Sequence, residues 1–273
     1  MQTASLTSYL AAWKWWIIAA VVIGALWATD RLRSGDTLPE QIIWEDSPFS
    51  GKGPPRTYSE AMARSKLAVA NAGAAAKAKP DEWLMHEIHA SELMARAQLS
   101  GSYEDYAAAG AALDAAFGVA VKGSGPHLMR AALDFSMHRL AGAEAQLAST
   151  NLYAVPPDPG DRAEITAIRG DIAFYRGDYD AAWALYDKAD ALVPGSALFR
   201  RAIFAARTGD VDGADAYFAE AEGAYRSPTP QTRSYMALQR GILDLDRGRL
   251  NDAMVHFREA DRLFPGRWLI EEH

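Results

Sequence analysis

The chain has 273 residues with 35 acidic and 28 basic side chains, and its net charge of −7 argues against a nucleic-acid backbone as partner. Hydrophobic residues make up 49% and charged residues 23%, an ordinary balance for a folded protein of one large or two small domains. Cys is absent, which excludes disulfides, thiolate metal sites and a Cys nucleophile but leaves the compartment open.

Residues 1–8 read as a polar N-terminal tail. From Tyr9 to Thr29 the only charge is Lys14, so residues 9–29 are predicted to form a transmembrane helix. A helix of that length spans roughly 31 Å, the thickness of a bilayer's hydrocarbon core. Trp13, Trp15 and Trp16 at one end and Trp27 at the other fit the membrane interfaces, with Lys14 near enough to snorkel. Signal cleavage after Ala28 or Ala25 puts Leu26 or Ile23 where a small residue is needed, so the span is read as an uncleaved anchor. The α-amino group and Lys14, at the N-terminal end of the span, nearly balance Arg31 and Arg33 after it. The orientation adopted is N-terminus inside, at a bacterial inner membrane, with the remainder periplasmic.

Residues 30–56 read as a linker or strapped-down loop, rich in Pro, Gly and Ser. Thr57 and Glu60 form a capping box for a helix to about Ala78, and Pro80 is placed at the first position of the next. That helix is expected to run to about Leu99, followed by a helix to Ala120. Short helices are expected at 128–137 and 140–149, then a proline-rich loop over Tyr153–Asp161.

The clearest pattern lies in 163–266. Gly170, Ala182, Tyr186, Ala189 and Pro194 recur 71 residues later as Gly241, Ala253, Phe257, Ala260 and Pro265. Between them, Gly209, Ala214, Phe218 and Ala221 repeat most of the set. The Ala-ring-Ala residues fall on one face of a helix, and each Gly permits close approach of its partner. This pattern resembles the tetratricopeptide (TPR) repeat. Thr166 or Ala237, Arg169 or Arg240, and Ala173 or Asp244 depart from the family's usual Trp, Leu and Tyr. The resemblance implies an all-α fold, with an N-terminal transmembrane helix followed by a TPR-like α-solenoid of about five helical hairpins. The repeat domain is placed at 57–266, clearest at 163–195, 196–228 and 234–266. Residues 267–273 are read as a C-terminal tail that caps the open end or begins a further helix; it is short for a full cap, which leaves completion by a partner as the alternative.

By the same resemblance, the concave face is lined by Glu164, Ala167, Asp171 and Phe174, then Phe199 and Ile203, then Tyr235, Leu238, Ile242 and Leu245. Such a groove is acidic at one end and apolar at the other, suited to an apolar segment of another protein. The alternative is that Leu238, Ile242 and Leu245 are core.

Little catalytic chemistry is legible. His86 and His89 stand one position too close for a zinc-protease HExxH pair, and no third ligand is evident. Asp178, Asp180, Asp210 and Asp212 fall in hairpin turns. No metal, cofactor or catalytic residue is assigned. The function expected is a non-catalytic, membrane-anchored scaffold for protein–protein interaction in assembling or maintaining an envelope complex. The alternatives are a permanent accessory subunit of a membrane enzyme complex, and a metal-dependent enzyme using His86 and His89.

Overall fold

A computed structural model of the chain describes residues 53–224 and 229–273. The expected span at 9–29, with Trp13, Lys14, Trp15, Trp16 and Trp27, lies outside the described residues. Among those described, no helix is long and apolar enough to cross a membrane.

The first helix, α1 (Tyr58–Ala78), starts where Thr57 Oγ1 accepts the Glu60 N–H at 3.1 Å. The Glu60 carboxylate returns the bond to the Arg56 N–H at 2.8 Å, one residue upstream of the box expected. The next helix, α2 (Trp83–Ser100), begins later than Pro80. Pro80 and Asp81 form a turn in which Glu82 N–H donates to the Lys79 carbonyl, which leaves Glu82 at the cap. There follow α3 (Tyr103–Val119), α4 (His127–Ser136) and α5 (Leu140–Ser149). Two repeats of matching bounds come next: α6 (Pro159–Tyr175) with α7 (Tyr179–Leu192), and α10 (Pro230–Asp246) with α11 (Leu250–Leu263). Between them lie α8 (Leu198–Thr208) and α9 (Val211–Ala224), and a short α12 (Trp268–Glu271) closes the described chain.

The helices pack as antiparallel pairs: α2 with α3, α4 with α5, α6 with α7, α8 with α9 and α10 with α11. With α1 laid against α2, this is an all-α, TPR-like array of five hairpins among the described residues. Four of its five hairpin turns share one device. The residue after the tight turn donates five positions back: Arg139 to Asp134, Asp178 to Ala173, Asp210 to Ala205, and Arg249 to Asp244. That geometry needs a left-handed residue just before the donor. Gly177, Gly209 and Gly248 supply it, whereas the second hairpin uses His138 at φ 54°.

Within a hairpin, the missing side chain of the first helix admits a ring from the second. A Cβ added at Gly170 lies 2.6 Å from Tyr186 Cε1, and one at Gly241 lies 2.5 Å from Phe257 Cδ1. Tyr186, Phe218 and Phe257 are all buried between Ala pairs (Ala182 and Ala189, Ala214 and Ala221, Ala253 and Ala260). Pro194 and Pro265 are exposed just past their helices, where they stop continuation.

The last described segment meets the first. Phe264 is fully buried among Tyr58, Ala61, Met62 and Leu99. The Tyr58 N–H donates to the Pro265 carbonyl at 3.1 Å, and Trp268 Nε1–H donates to the Leu99 carbonyl at 3.3 Å. Of the readings for 267–273, the further short helix is the one formed, and the end is covered by the chain itself rather than left to a partner. Arg267 is buried beneath Tyr235, and α1 supplies the covering surface.

The ring-in-slot contacts give opposite signs for one substitution at different glycines. In a helix, Gly→Ala ordinarily stabilises by up to about 1 kcal/mol, and Gly118, with open space at its Cβ, should follow that rule. At Gly170 and Gly241 the overlap with the ring outweighs propensity, and Ala should destabilise by about 1–2 kcal/mol. Chemical denaturation of the three variants reads the difference directly. Equal stabilisation at all three sites would remove the steric account.

Candidate interaction surface

The residues expected to line a concave groove are largely consumed within the array. Glu164 and Asp171 on α6 both pair with Arg200 on α8, a residue the sequence reading passed over. Arg200 Nη2 donates to Glu164 Oε1 at 2.7 Å and Nε donates to Asp171 Oδ2 at 2.8 Å. The Tyr186 hydroxyl donates to the other Asp171 oxygen at 2.9 Å. Asp171 is therefore a tie between consecutive hairpins, and Arg200 offsets one of the two charges at the expected acidic end of the groove.

The aromatic candidates are likewise engaged with one another. Phe174 packs against Tyr175, Tyr179 and Phe204, with centroids 5.5–5.8 Å apart. Phe199 lies 5.9 Å from Phe218 and 5.7 Å from Tyr235. The Arg267 guanidinium covers Tyr235 at 5.5 Å. Ile203 is half-buried in the α8–α9 core, and Ile242 is half-buried against the core of α10 and α11. Leu238 is fully exposed to neither solvent nor ligand: it is buried, as is Ala167, so both are core rather than groove lining. Leu245 alone among the last set is exposed. The physical reason is that side chains of successive hairpins meet directly, Arg200 of α8 on Glu164 and Asp171 of α6 and Phe199 of α8 on Tyr235 of α10.

The open concavity lies elsewhere, between α9 and α11 and floored by α10. It has a volume of about 760 Å³. Met236 and Ala237 form a buried apolar floor, while Leu263 and the exposed Val255 sit on the α11 wall. Four arginines reach it: Arg233 and Arg240 from α10, and Arg258 and Arg262 from α11. Their charge exceeds that of the lining acids Glu222 and Glu259. Arg240 is held loosely, with Nη1 3.6 Å from Glu222 and Nε 4.0 Å from Asp215. Its buried Nε has no hydrogen-bond partner among the described residues.

The wall's charge is peculiar to the last hairpin. One 71-residue displacement earlier, Asp187, Lys188 and Ala191 hold the places of Arg258, Glu259 and Arg262. Asp187 there is turned to Arg201, which also lies over the Trp183 ring at 5.2 Å. Thus the same backbone position presents an occupied acid in one repeat and an arginine in the other. This contrast is legible in the sequence only as charge, at positions outside the small-and-aromatic repeat pattern.

The histidines considered as metal ligands have structural occupations. His86 Nε2–H donates to the Pro80 carbonyl at 2.8 Å, and His89 packs over Gly73 of α1. Burial lowers the His89 pKa, with the charges of His86, Lys77 and Arg96 adding to it. Among the described residues, no three His, Asp or Glu side chains are grouped to hold a metal ion. Asp178 and Asp210 cap their helices by accepting the Ala181 and Gly213 N–H groups. Two half-buried carboxyls stand out instead. Burial, reinforced by the charge of Asp161, pushes Glu87 up to about 7, and burial with Asp158 pushes Asp161 up to about 6.

Two outcomes follow. Arg200→Ala leaves Asp171 and Glu164 without their cation and should cost about 3 kcal/mol in denaturant unfolding, far above the effect of an exposed pair. A loss below about 1 kcal/mol would mean that the tie is incidental. Glu87 and Asp161 bind protons more tightly folded than unfolded. Their contribution therefore favours the fold below the unfolded value of 4.5 for Glu87 and is lost as pH rises through about 7. The melting temperature of the solubilised chain should rise from about pH 8 down to about pH 5, and Glu87→Gln should flatten that slope while adding about 1–3 kcal/mol at pH 8. An unchanged slope in Glu87→Gln would remove Glu87 as its source.

No protein-family model matches this chain, and no curated protein matches it. Among solved structures, it is similar to a chain in the crystal structure of the APC/C hetero-tetramer Cut9-Hcn1, at 12% sequence identity and a TM-score of 0.47. The alignment covers 84% of this chain and 49% of that one, so the chain spans about half the length of its neighbour.

Proposed function

We propose that this chain is a non-catalytic scaffold for protein–protein interaction, held at a membrane by residues 9–29. The observation that carries the reading is the groove of α9, α10 and α11, an apolar floor with a basic wall that the matching hairpin α6–α7 lacks. Such a surface offers area to an apolar segment and long-range attraction to acidic flanks. The inner-face residues Glu164, Asp171, Phe174, Phe199 and Tyr235 serve the scaffold by fixing hairpin to hairpin. Tethering supports the same reading: an array confined near a bilayer meets membrane partners at high local concentration, so modest contacts suffice. The setting we propose is an inner-membrane complex of a bacterium, with the repeats on the periplasmic side.

The test is co-purification from native membranes in mild detergent. Wild-type chain should bring down a defined protein partner, and Arg258→Glu combined with Arg262→Glu should reduce its recovery about tenfold or more at unchanged melting temperature. Equal recovery with the double variant would take the groove out of the function. A partner that stays stoichiometric through high-salt washes would favour a permanent subunit of an enzyme complex. Protease accessibility in sealed vesicles reads the sidedness.

A further inference from the structure

We infer that, in the chain without a partner, the groove of α9, α10 and α11 is covered by the chain's own stretch 36–46, DTLPEQIIWED. The inference rests on the groove's chemistry and position and stands whether or not a partner protein also uses it.

Charge is the first argument. The groove's surplus of arginine lies within a chain whose net charge is −7. Residues 36–46 contain Asp36, Glu40, Glu45 and Asp46 and no basic residue. Opposite fields of this kind attract over about a Debye length and set the register of a weak contact. Apolar chemistry is the second. Ile42, Ile43 and Trp44 sit between the acids, matching the Met236, Ala237 and Leu263 surface between the arginines. A Trp with aliphatic neighbours makes an anchor of the sort that dominates peptide docking.

Reach is the third. The chain passes the groove's end at Tyr58, five residues after the described chain begins at Gly53. Tyr58 N–H is bonded to Pro265, two residues beyond the groove-lining Leu263. Upstream of it, the Gly53 carbonyl accepts from the Arg64 guanidinium on α1. Seven residues lead from Asp46 to Gly53, an extended reach of about 24 Å. A tether that short gives an effective concentration on the order of millimolar, so a segment of modest affinity covers the groove for most of the time.

The absence of Cys makes proximity simple to read. Ile43→Cys is combined with Val255→Cys in the full detergent-solubilised chain, treated with a short bismaleimide and mapped by mass. Val255 is exposed on the groove wall, and Val155, exposed on the loop before α6, serves as the distant control. The expected result is an intramolecular link between 43 and 255 and none between 43 and 155. Adding Arg258→Glu and Arg262→Glu should lower the linked fraction about tenfold. Raising salt to about 0.5 M, with a Debye length of about 4 Å, should lower it with no change to the groove. Absence of the 43–255 link, equal linking to 155, or a link joining two chains would each overturn the inference. The purified chain alone is used, so failure here is separate from failure of co-purification.

Discussion

Each clear hairpin depends on a ring occupying the space that a Cβ would otherwise fill. Gly170 and Gly241 are poor helix residues, each less favourable than Ala by about 1 kcal/mol. What offsets this is burial of Tyr186 and Phe257, each worth about 1.5–3 kcal/mol once removed from water. The flanking Ala182 and Ala189, or Ala253 and Ala260, keep the two backbones near enough for the ring to touch both helices. No single hairpin buries both its faces, so this local fit becomes a fold only through stacking.

Stacking then decides what the inner face can do. The same closeness that seats the rings brings Arg200 of one hairpin onto Asp171 and Glu164 of the one before it. A carboxylate held by two donors in a half-dry site is poorly placed to greet an incoming ligand, because exchanging partners requires breaking a buried pair. At the other end, Arg267 lies under Tyr235 while Phe264 and Trp268 engage α1 and the α2–α3 turn. The array is thus secured at both ends by its own residues.

This explains which parts were legible in the sequence. Helix bounds and the ring-and-alanine core follow from local spacing, and the 71-residue displacement extends even to the capped Pro159 and Pro230 at the starts of α6 and α10. Contacts between hairpins are another matter. Arg200 meets Asp171 across 29 residues, and Trp268 meets Leu99 across 169. Neither separation is a repeat of anything, so no pattern search reaches them. The concave-face residues were chosen by position within a repeat, which says where a side chain points but not how near the next hairpin stands. Leu238 shows the consequence, since its repeat position reads as surface while its neighbours bury it.

The groove of α9, α10 and α11 is tied differently. Arg262 pairs with Glu259 of its own helix at 2.6 Å, whereas α6 and α8 are bound to each other through Arg200. Substitution at Arg258 or Arg262 therefore alters a surface without disturbing a hairpin, whereas substitution at Asp171 or Arg200 does both.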